Sequence, residues 1–150
     1  MAQSLSLLLC HIIFSTKNRE RYLTLKISAG LYPYMAVVLR NIECGAIQIG
    51  GTSDHVLVFC TLSKTLSVSD TIKEIKIATS KWLKTKGPEL KAFRWKNGYG
   101  AFSVSPSNKD KVQRYIIHQD EHHRKMSFQE EFRRFLKEYG IPYEEDYVWG

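Results

Sequence analysis

The hydrophobic positions along the chain follow two spacings, one typical of strands and the other typical of helices. The run 5–14 has apolar residues on both alternating faces, which predicts a central strand buried on both sides. Further strands are predicted over 46–49, 55–62 and 101–105. The glycine-containing segment 50–54 predicts a hairpin turn between the second and third strands.

Apolar residues recur at helical spacing in four other segments. The first extends from 27 to 42, where Gly30 and Pro33 weaken the early part, so this helix is expected to be kinked or to begin late. The second begins near Ser67 or Ser69 as its cap and ends before Gly87. A third helix is predicted over about 109–123 and a fourth over about 127–139.

The predicted order is therefore β-α-β-β-α-β followed by two helices. This is the order of a split βαβ, ferredoxin-like α+β fold, with an antiparallel sheet covered by helices on one face. The length of 150 residues suits one domain over 1–150 with a substantial core. A fold of this kind indicates no particular chemistry by itself.

Charge gives the first indication of a partner. The formal net charge of +7 favours a polyanion, with nucleic acid first and an anionic membrane surface second, although a protein that is merely basic would have the same charge. Basic and polar residues follow the first predicted strand at once. Phosphate contacts are predicted for this loop, at Lys17, Asn18, Arg19 and Arg21.

The cysteines and the apolar N-terminal run exclude other classes. Cys10, Cys44 and Cys60 form no CxxC pair, which argues against a zinc ribbon and predicts small core residues of a reduced, cytoplasmic protein. The run 5–14 is too short to span a bilayer, and no basic segment precedes it as in a signal peptide. No membrane-spanning segment is therefore expected, and with nucleic acid as the favoured polyanion no membrane partner is expected either.

The third predicted strand offers half of a metal site. Residues two apart on a strand share a face, so a histidine at 55 and another at 57 would present two imidazoles to one ion. This chain has His55 followed by Leu57, whose side chain has no lone pair to donate. His11 in the first strand is more typical of a core histidine, and the alternative is that it borders the active face.

The third predicted helix carries the second set of candidate residues. Tyr115 and Gln119 are four residues apart and would share one helical face, which His122 continues. A tyrosine hydroxyl can attack a phosphodiester, and a divalent ion held partly by an amide oxygen can polarise the phosphate. Alone, this spacing is more typical of a tyrosine at the boundary of a core.

Together, these motifs resemble those of the single-tyrosine HUH transposases of insertion sequences that move as single-stranded DNA, including the REP-associated tyrosine transposases. The resemblance extends over nearly the whole chain. The matching stretches occur in the same order as in the family, at 11–19, 49–56, 65–70, 95–105 and 115–123.

The resemblance implies a specific activity and specific roles. Tyr115 would cleave single-stranded, hairpin-bearing DNA and remain joined to the 5′ phosphate. His55 and Gln119 would bind Mg²⁺ or Mn²⁺, and no organic cofactor is implied. Members of the family are homodimers that pair their sheets, and the tyrosine helix completes the site of its own chain or of its partner; the sequence leaves that choice open.

Leu57 is where the chain departs from the family, which has its second histidine there. A weakened metal site is expected, since even lesser losses around a metal cost about 10–100-fold in affinity. Three explanations remain: a decayed or repurposed copy, an engineered substitution, or a substitute ligand, for which His122 is best placed by helical register. The alternative functions are a catalytically inactive relative that binds hairpin DNA and, with less support from the mostly aliphatic strands, an RNA-binding module.

Overall fold

A four-stranded sheet forms the centre of the molecule in a computed structural model that describes residues 3–119 and 126–149, except for the side chains of 146 and 147. The strand order is β2-β3-β1-β4, and every neighbouring pair is antiparallel. This order confirms the predicted ferredoxin-like α+β class. The strands are β1 (Leu9–Ser15), β2 (Gly45–Gly51), β3 (His55–Thr61) and β4 (Gly100–Val104).

The helices begin where the sequence supplies capping side chains. Thr24, Ser67 and Ser127 each accept a hydrogen bond from the backbone N–H three residues further on, which satisfies one exposed donor of the first turn. Within the described ranges, none of the helices combines the length and the apolar character that crossing a bilayer requires. The helices are α1 (Leu25–Asn41), α2 (Val68–Lys84), α3 (Lys109–Ile117), α4 (Phe128–Glu138) and α5 (Glu145–Val148).

The first strand is shorter than its apolar run predicts. It begins at Leu9, which pairs with Thr61, the last residue of β3, and with Val104, the last residue of β4. Among the described residues, 3–8 therefore precede the strand pairing, and Leu5 and Leu7 are exposed. Apolar character predicted the strand, but the length of its neighbours decides where it begins.

Helix α1 shows how packing overrides a local signal. The helix begins at Leu25 and continues through Pro33, so the prediction of a late start was wrong. Gly30 lets α1 approach α2 closely, because a Cβ at that position would lie 3.0 Å from Cη2 of Trp82. Burial against α2 and the sheet compensates for the hydrogen bond that proline cannot donate.

Helices cover both faces of the sheet, so the prediction of cover on one face was wrong. On the first face, α1 and α2 pack over the alternate residues that include Ile12 and Val58, together with the three cysteines. On the second face, α3 and α4 pack over Ile13 and Leu57. All three cysteines are buried, as predicted, and burial raises the pKa of the Cys10 thiol to about 11.

Candidate active site

The site begins at the hairpin between β2 and β3. The backbone of Gly51 has a φ of 154°, and a Cβ there would collide with the carbonyl of His55. Thr52 N donates a hydrogen bond of 3.0 Å to that same carbonyl and closes the turn. As a result His55 is the first residue of β3, with its imidazole buried under the helices of the second sheet face.

The imidazole of His55 is held from its Nδ1 side. Asp54 Oδ1 lies 2.7 Å from Nδ1, and the Thr52 hydroxyl, which donates to Asp54 at 3.0 Å, lies 2.9 Å from the same nitrogen. A hydrogen bond from Nδ1–H to Asp54 turns Nε2 toward two further groups. These are Gln119 Oε1 at 3.4 Å and Glu131 Oε1 at 3.6 Å.

Electrostatics in the site favour a charged His55. Burial alone would lower its pKa, but the hydrogen bonds and charges of Asp54 and Glu131 outweigh burial and raise the pKa above its ordinary value. The two carboxylates therefore favour the protonated form of the imidazole.

Glu131, which the sequence analysis did not single out, joins the predicted residues to one another. It lies on α4 and is only 1% exposed. Its Oε1 faces His55, and its Oε2 accepts hydrogen bonds from Gln119 Nε2 at 3.2 Å and from the Tyr115 hydroxyl. The structure thus brings Tyr115, His55 and Gln119 together around one carboxylate, within a single chain.

A signal for Glu131 does exist in the sequence. Phe128, Glu131 and Phe135 follow one another at helical spacing, so the glutamate interrupts an apolar stripe that packs on the sheet. Charged side chains are seldom buried in such a stripe without a partner. That rule predicts a partner for Glu131 but not its identity, since His55 is far away in the sequence.

Tyr115 and Gln119 meet in a different way from the one predicted. Helix α3 ends at Ile117, and the backbone N–H of His118 donates to the carbonyl of Arg114, whereas the spacing predicted a helix to about 123. Glu131 accepts a hydrogen bond from each of the two side chains, and residues 120–123 of the predicted helix lie outside the described residues. His122, the predicted substitute ligand, lies outside the described residues.

The surroundings of Tyr115 oppose ionisation of its hydroxyl. Burial contributes most, and the charge of Glu131 comes next; together they raise the pKa of Tyr115 above its ordinary value. The ring packs edge-on against Phe135, with centroids 5.7 Å apart. The hydroxyl is therefore held in place as a neutral donor to Glu131.

Leu57 lies on the same sheet face as His55, as predicted. Its side chain is fully buried among Ile13, Ile116 and Phe132 in the apolar cluster of that face. In the part of the chain that the structure describes, no three His, Cys, Asp or Glu side chains are grouped to hold a metal. The candidate ligand set is instead mixed, with one histidine, one glutamine and one glutamate.

The predicted DNA-binding residues lie beside this site. Lys17, Asn18 and Arg19 form an exposed 3-10 turn after β1 and, with Lys96, line a pocket of about 230 Å³. Phe128 also lines the pocket, and its ring lies 4.7 Å from that of His55.

The basic side chains of this pocket affect one another. Burial, followed by the charges of Lys17 and Arg19, lowers the pKa of Lys96. Arg21 is exposed after the turn and does not line the pocket.

His11 packs as a core residue on the same sheet face. It pairs with Phe59 and Phe102 across the strands, and its ring meets Phe135 edge-on at 5.2 Å. No hydrogen-bond partner of its Nε2 is found among the described residues. Burial lowers the pKa of His11 to about 4, with an opposing contribution from Glu131.

The burial of neutral His11 predicts that the folded state becomes less stable in acid. Between the folded pKa of about 4 and an unfolded value of about 6.5, the unfolded chain binds more protons, so the free energy of unfolding falls as the pH falls. His11→Leu should reduce that fall by about 3 kcal/mol between pH 7 and pH 4, measured by urea unfolding. His118→Gln, at an exposed histidine, is the control. An unchanged pH dependence in His11→Leu would contradict the prediction.

Comparisons with known proteins identify the family and a shared fold. A family model described as "Transposase IS200 like" matches residues 4–119. A candidate transposase from Deinococcus radiodurans R1, at 20% identity and a TM-score of 0.62, matches over 79% of this chain and 98% of its own. A REP-associated tyrosine transposase bound to a REP hairpin, at 16% identity and a TM-score of 0.59, matches over 82% of this chain and 74% of its own. Among curated proteins there is no significant match.

The fold and site first define a class, namely a ferredoxin-like α+β domain that presents a tyrosine beside a histidine and an amide on one sheet face. Within that class, the chain belongs to the IS200-like transposase family.

Proposed function

We propose that this protein is a DNA transposase that cleaves and rejoins single-stranded, hairpin-bearing DNA through Tyr115. The observation that carries the proposal is the convergence of Tyr115, His55, Gln119 and Glu131 within one chain. Membership of the family supports transposition, and the structural relative that binds a REP hairpin supports hairpin DNA as the substrate.

The reaction would be a transesterification. The Tyr115 oxygen forms a bond to the scissile phosphorus, and the bond from phosphorus to the 3′ oxygen of the preceding nucleotide breaks. The tyrosine proton passes to Glu131 Oε2, which already accepts the hydrogen bond from this hydroxyl, and Glu131 releases it to solvent while the released 3′ oxygen takes up one proton from solvent. One phosphodiester is exchanged for another, so the DNA can be rejoined without an energy source.

A divalent cation, Mg²⁺ or Mn²⁺, fits the donor atoms that face one another here. His55 Nε2 and Gln119 Oε1 would hold it, and Asp54 on the far side of the imidazole fixes the orientation that presents Nε2. When bound, such an ion would polarise the scissile phosphate and stabilise the charge that develops on it.

The basic turn would hold the DNA backbone next to this centre. Lys17, Asn18 and Arg19 line the pocket beside Phe128, and Arg21 would contact phosphate farther along the strand. Binding that depends on these groups should weaken steeply with salt. The homodimer stays a prediction; β2 and β4 are the edge strands at which two sheets would pair.

The test is a covalent-adduct assay. Single-stranded oligonucleotides that carry a hairpin and randomised flanks, labelled at the 3′ end, are incubated with the protein and Mn²⁺ and resolved on a denaturing gel. We expect a protein–DNA adduct that chelator suppresses and that peptide mapping assigns to Tyr115. The absence of an adduct with both the natural chain and Leu57→His, or attachment at another residue, would overturn the enzymatic proposal.

A catalytically inactive hairpin-binding protein is the second candidate. Leu57 favours it, since the site lacks the second histidine, and so does the raised pKa of Tyr115. This function predicts salt-sensitive hairpin binding without any adduct. The same gel, run beside a native binding gel, separates the two functions.

A further inference from the structure

We infer that Glu131 provides the third protein ligand for the divalent cation, in place of the histidine that Leu57 has replaced. The inference rests on the proposed function, because it concerns the same metal site. It assigns a ligand on α4, a helix outside the stretch that the family model matches.

Distances between the donor atoms support a shared ion. Two ligand atoms that each lie about 2.1 Å from a cation, at angles of 90–110°, are about 3.0–3.4 Å apart. Gln119 Oε1 and Glu131 Oε1 lie 3.4 Å and 3.6 Å from His55 Nε2. A movement of Glu131 by a few tenths of an ångström would bring its Oε1 into that range of His55 Nε2, as Gln119 Oε1 already is.

The hydrogen bonds orient each donor toward that common point. Asp54 engages Nδ1 of His55 and leaves Nε2 directed inward. The Gln119 amide donates its NH₂ to Glu131 Oε2, which turns its oxygen toward His55. Glu131 uses Oε2 for these contacts, and its Oε1 is the oxygen that faces the imidazole.

The chemistry of the set favours a hard cation. An imidazole, an amide oxygen and a carboxylate suit Mg²⁺ and Mn²⁺, whereas a second imidazole would favour softer ions relative to these. The carboxylate also neutralises one charge of the ion, which a histidine does not. A buried Glu131 is therefore a chemically adequate replacement for an imidazole at this site.

A purely structural ion pair between Glu131 and His55 is the competing explanation, and Mn²⁺ binding separates the two. The affinity for Mn²⁺ is measured by electron paramagnetic resonance of the unbound ion and by calorimetry, without DNA. We expect Glu131→Gln to raise the dissociation constant for Mn²⁺ by about 10–100-fold. Glu130→Gln removes an exposed carboxylate one residue away and should change the affinity by less than about twofold.

The result that overturns the inference is Mn²⁺ binding by Glu131→Gln with the affinity of the natural chain. Circular dichroism checks that each variant is folded. If Glu131→Gln does not fold, Glu131→Asp carries the test, since it keeps the charge one methylene farther away and should weaken binding by about tenfold. Wild-type affinity in that variant would also overturn the inference.

Mn²⁺ binding tests Glu131 as a ligand, and the adduct assay tests the proposed function, so the two can fail separately. An adduct at Tyr115 together with unchanged Mn²⁺ affinity in Glu131→Gln would refute Glu131 as a ligand and leave the transposase intact. No Mn²⁺ binding by the natural chain would refute the inference, and the adduct assay would still decide the proposed function.

Discussion

Tyr115→Phe should abolish the covalent DNA adduct, with a loss of at least about 10³-fold in the rate of its formation. The substitution removes the only atom that is proposed to bond to phosphorus. The ring itself packs against Phe135 and belongs to the apolar side of the second sheet face, so a phenylalanine keeps those contacts. The variant should fold, since it loses only the polar contacts of the hydroxyl, including the hydrogen bond to Glu131, and little packing.

Binding measurements show whether the loss is chemical. Tyr115→Phe should bind hairpin DNA and Mn²⁺ within about threefold of the natural chain, because the basic turn and the metal-facing donor atoms are unchanged. Tyr99→Phe, at an exposed tyrosine, is the matched control and should form the adduct at the normal rate. Adduct formation by Tyr115→Phe would remove Tyr115 from its proposed role, whichever residue replaced it.

The sequence predicted the sheet well because strand signals are local. Short apolar runs bounded by turn residues located the four strands of the sheet, and their order with the helices was enough to define the fold class. The start of β1 and the face covered by α3 and α4 could not be predicted in this way. Both depend on contacts between distant segments, namely Leu9 with Thr61 and the apolar stripe of α4 with Ile13 and Leu57.

The candidate site was predicted in part for the same reason. His55, Gln119 and Tyr115 occur in short motifs, and the structure brings them together. Glu131 occurs in no motif, and it reaches His55 only because α4 lies against this first residue of β3. A charged residue in an apolar stripe predicted that Glu131 has a buried partner. Which residue is that partner depends on the three-dimensional fold.

Leu57→His is expected to have two large and opposite effects. In the absence of metal, the free energy of unfolding should fall by about 3 kcal/mol. The cause is that Leu57 is fully buried beside Ile13, Ile116 and Phe132, and an imidazole there loses apolar contacts and buries polar nitrogens. Urea unfolding with chelator present measures this loss.

Mn²⁺ should reverse most of that loss if the new imidazole binds the ion with His55. A ligand that binds only the folded state stabilises it by about 2.7 kcal/mol at one hundred times its dissociation constant. Leu57→Ala separates the two effects, because it loses as much packing and adds no ligand, so Mn²⁺ should stabilise it no more than the natural chain. Equal responses of Leu57→His and Leu57→Ala to Mn²⁺ would show that position 57 is outside the reach of the ion. In that case the metal site of this chain would depend on His55, Gln119 and Glu131 alone. Position 57 would then contribute packing to the core and no ligand to the ion.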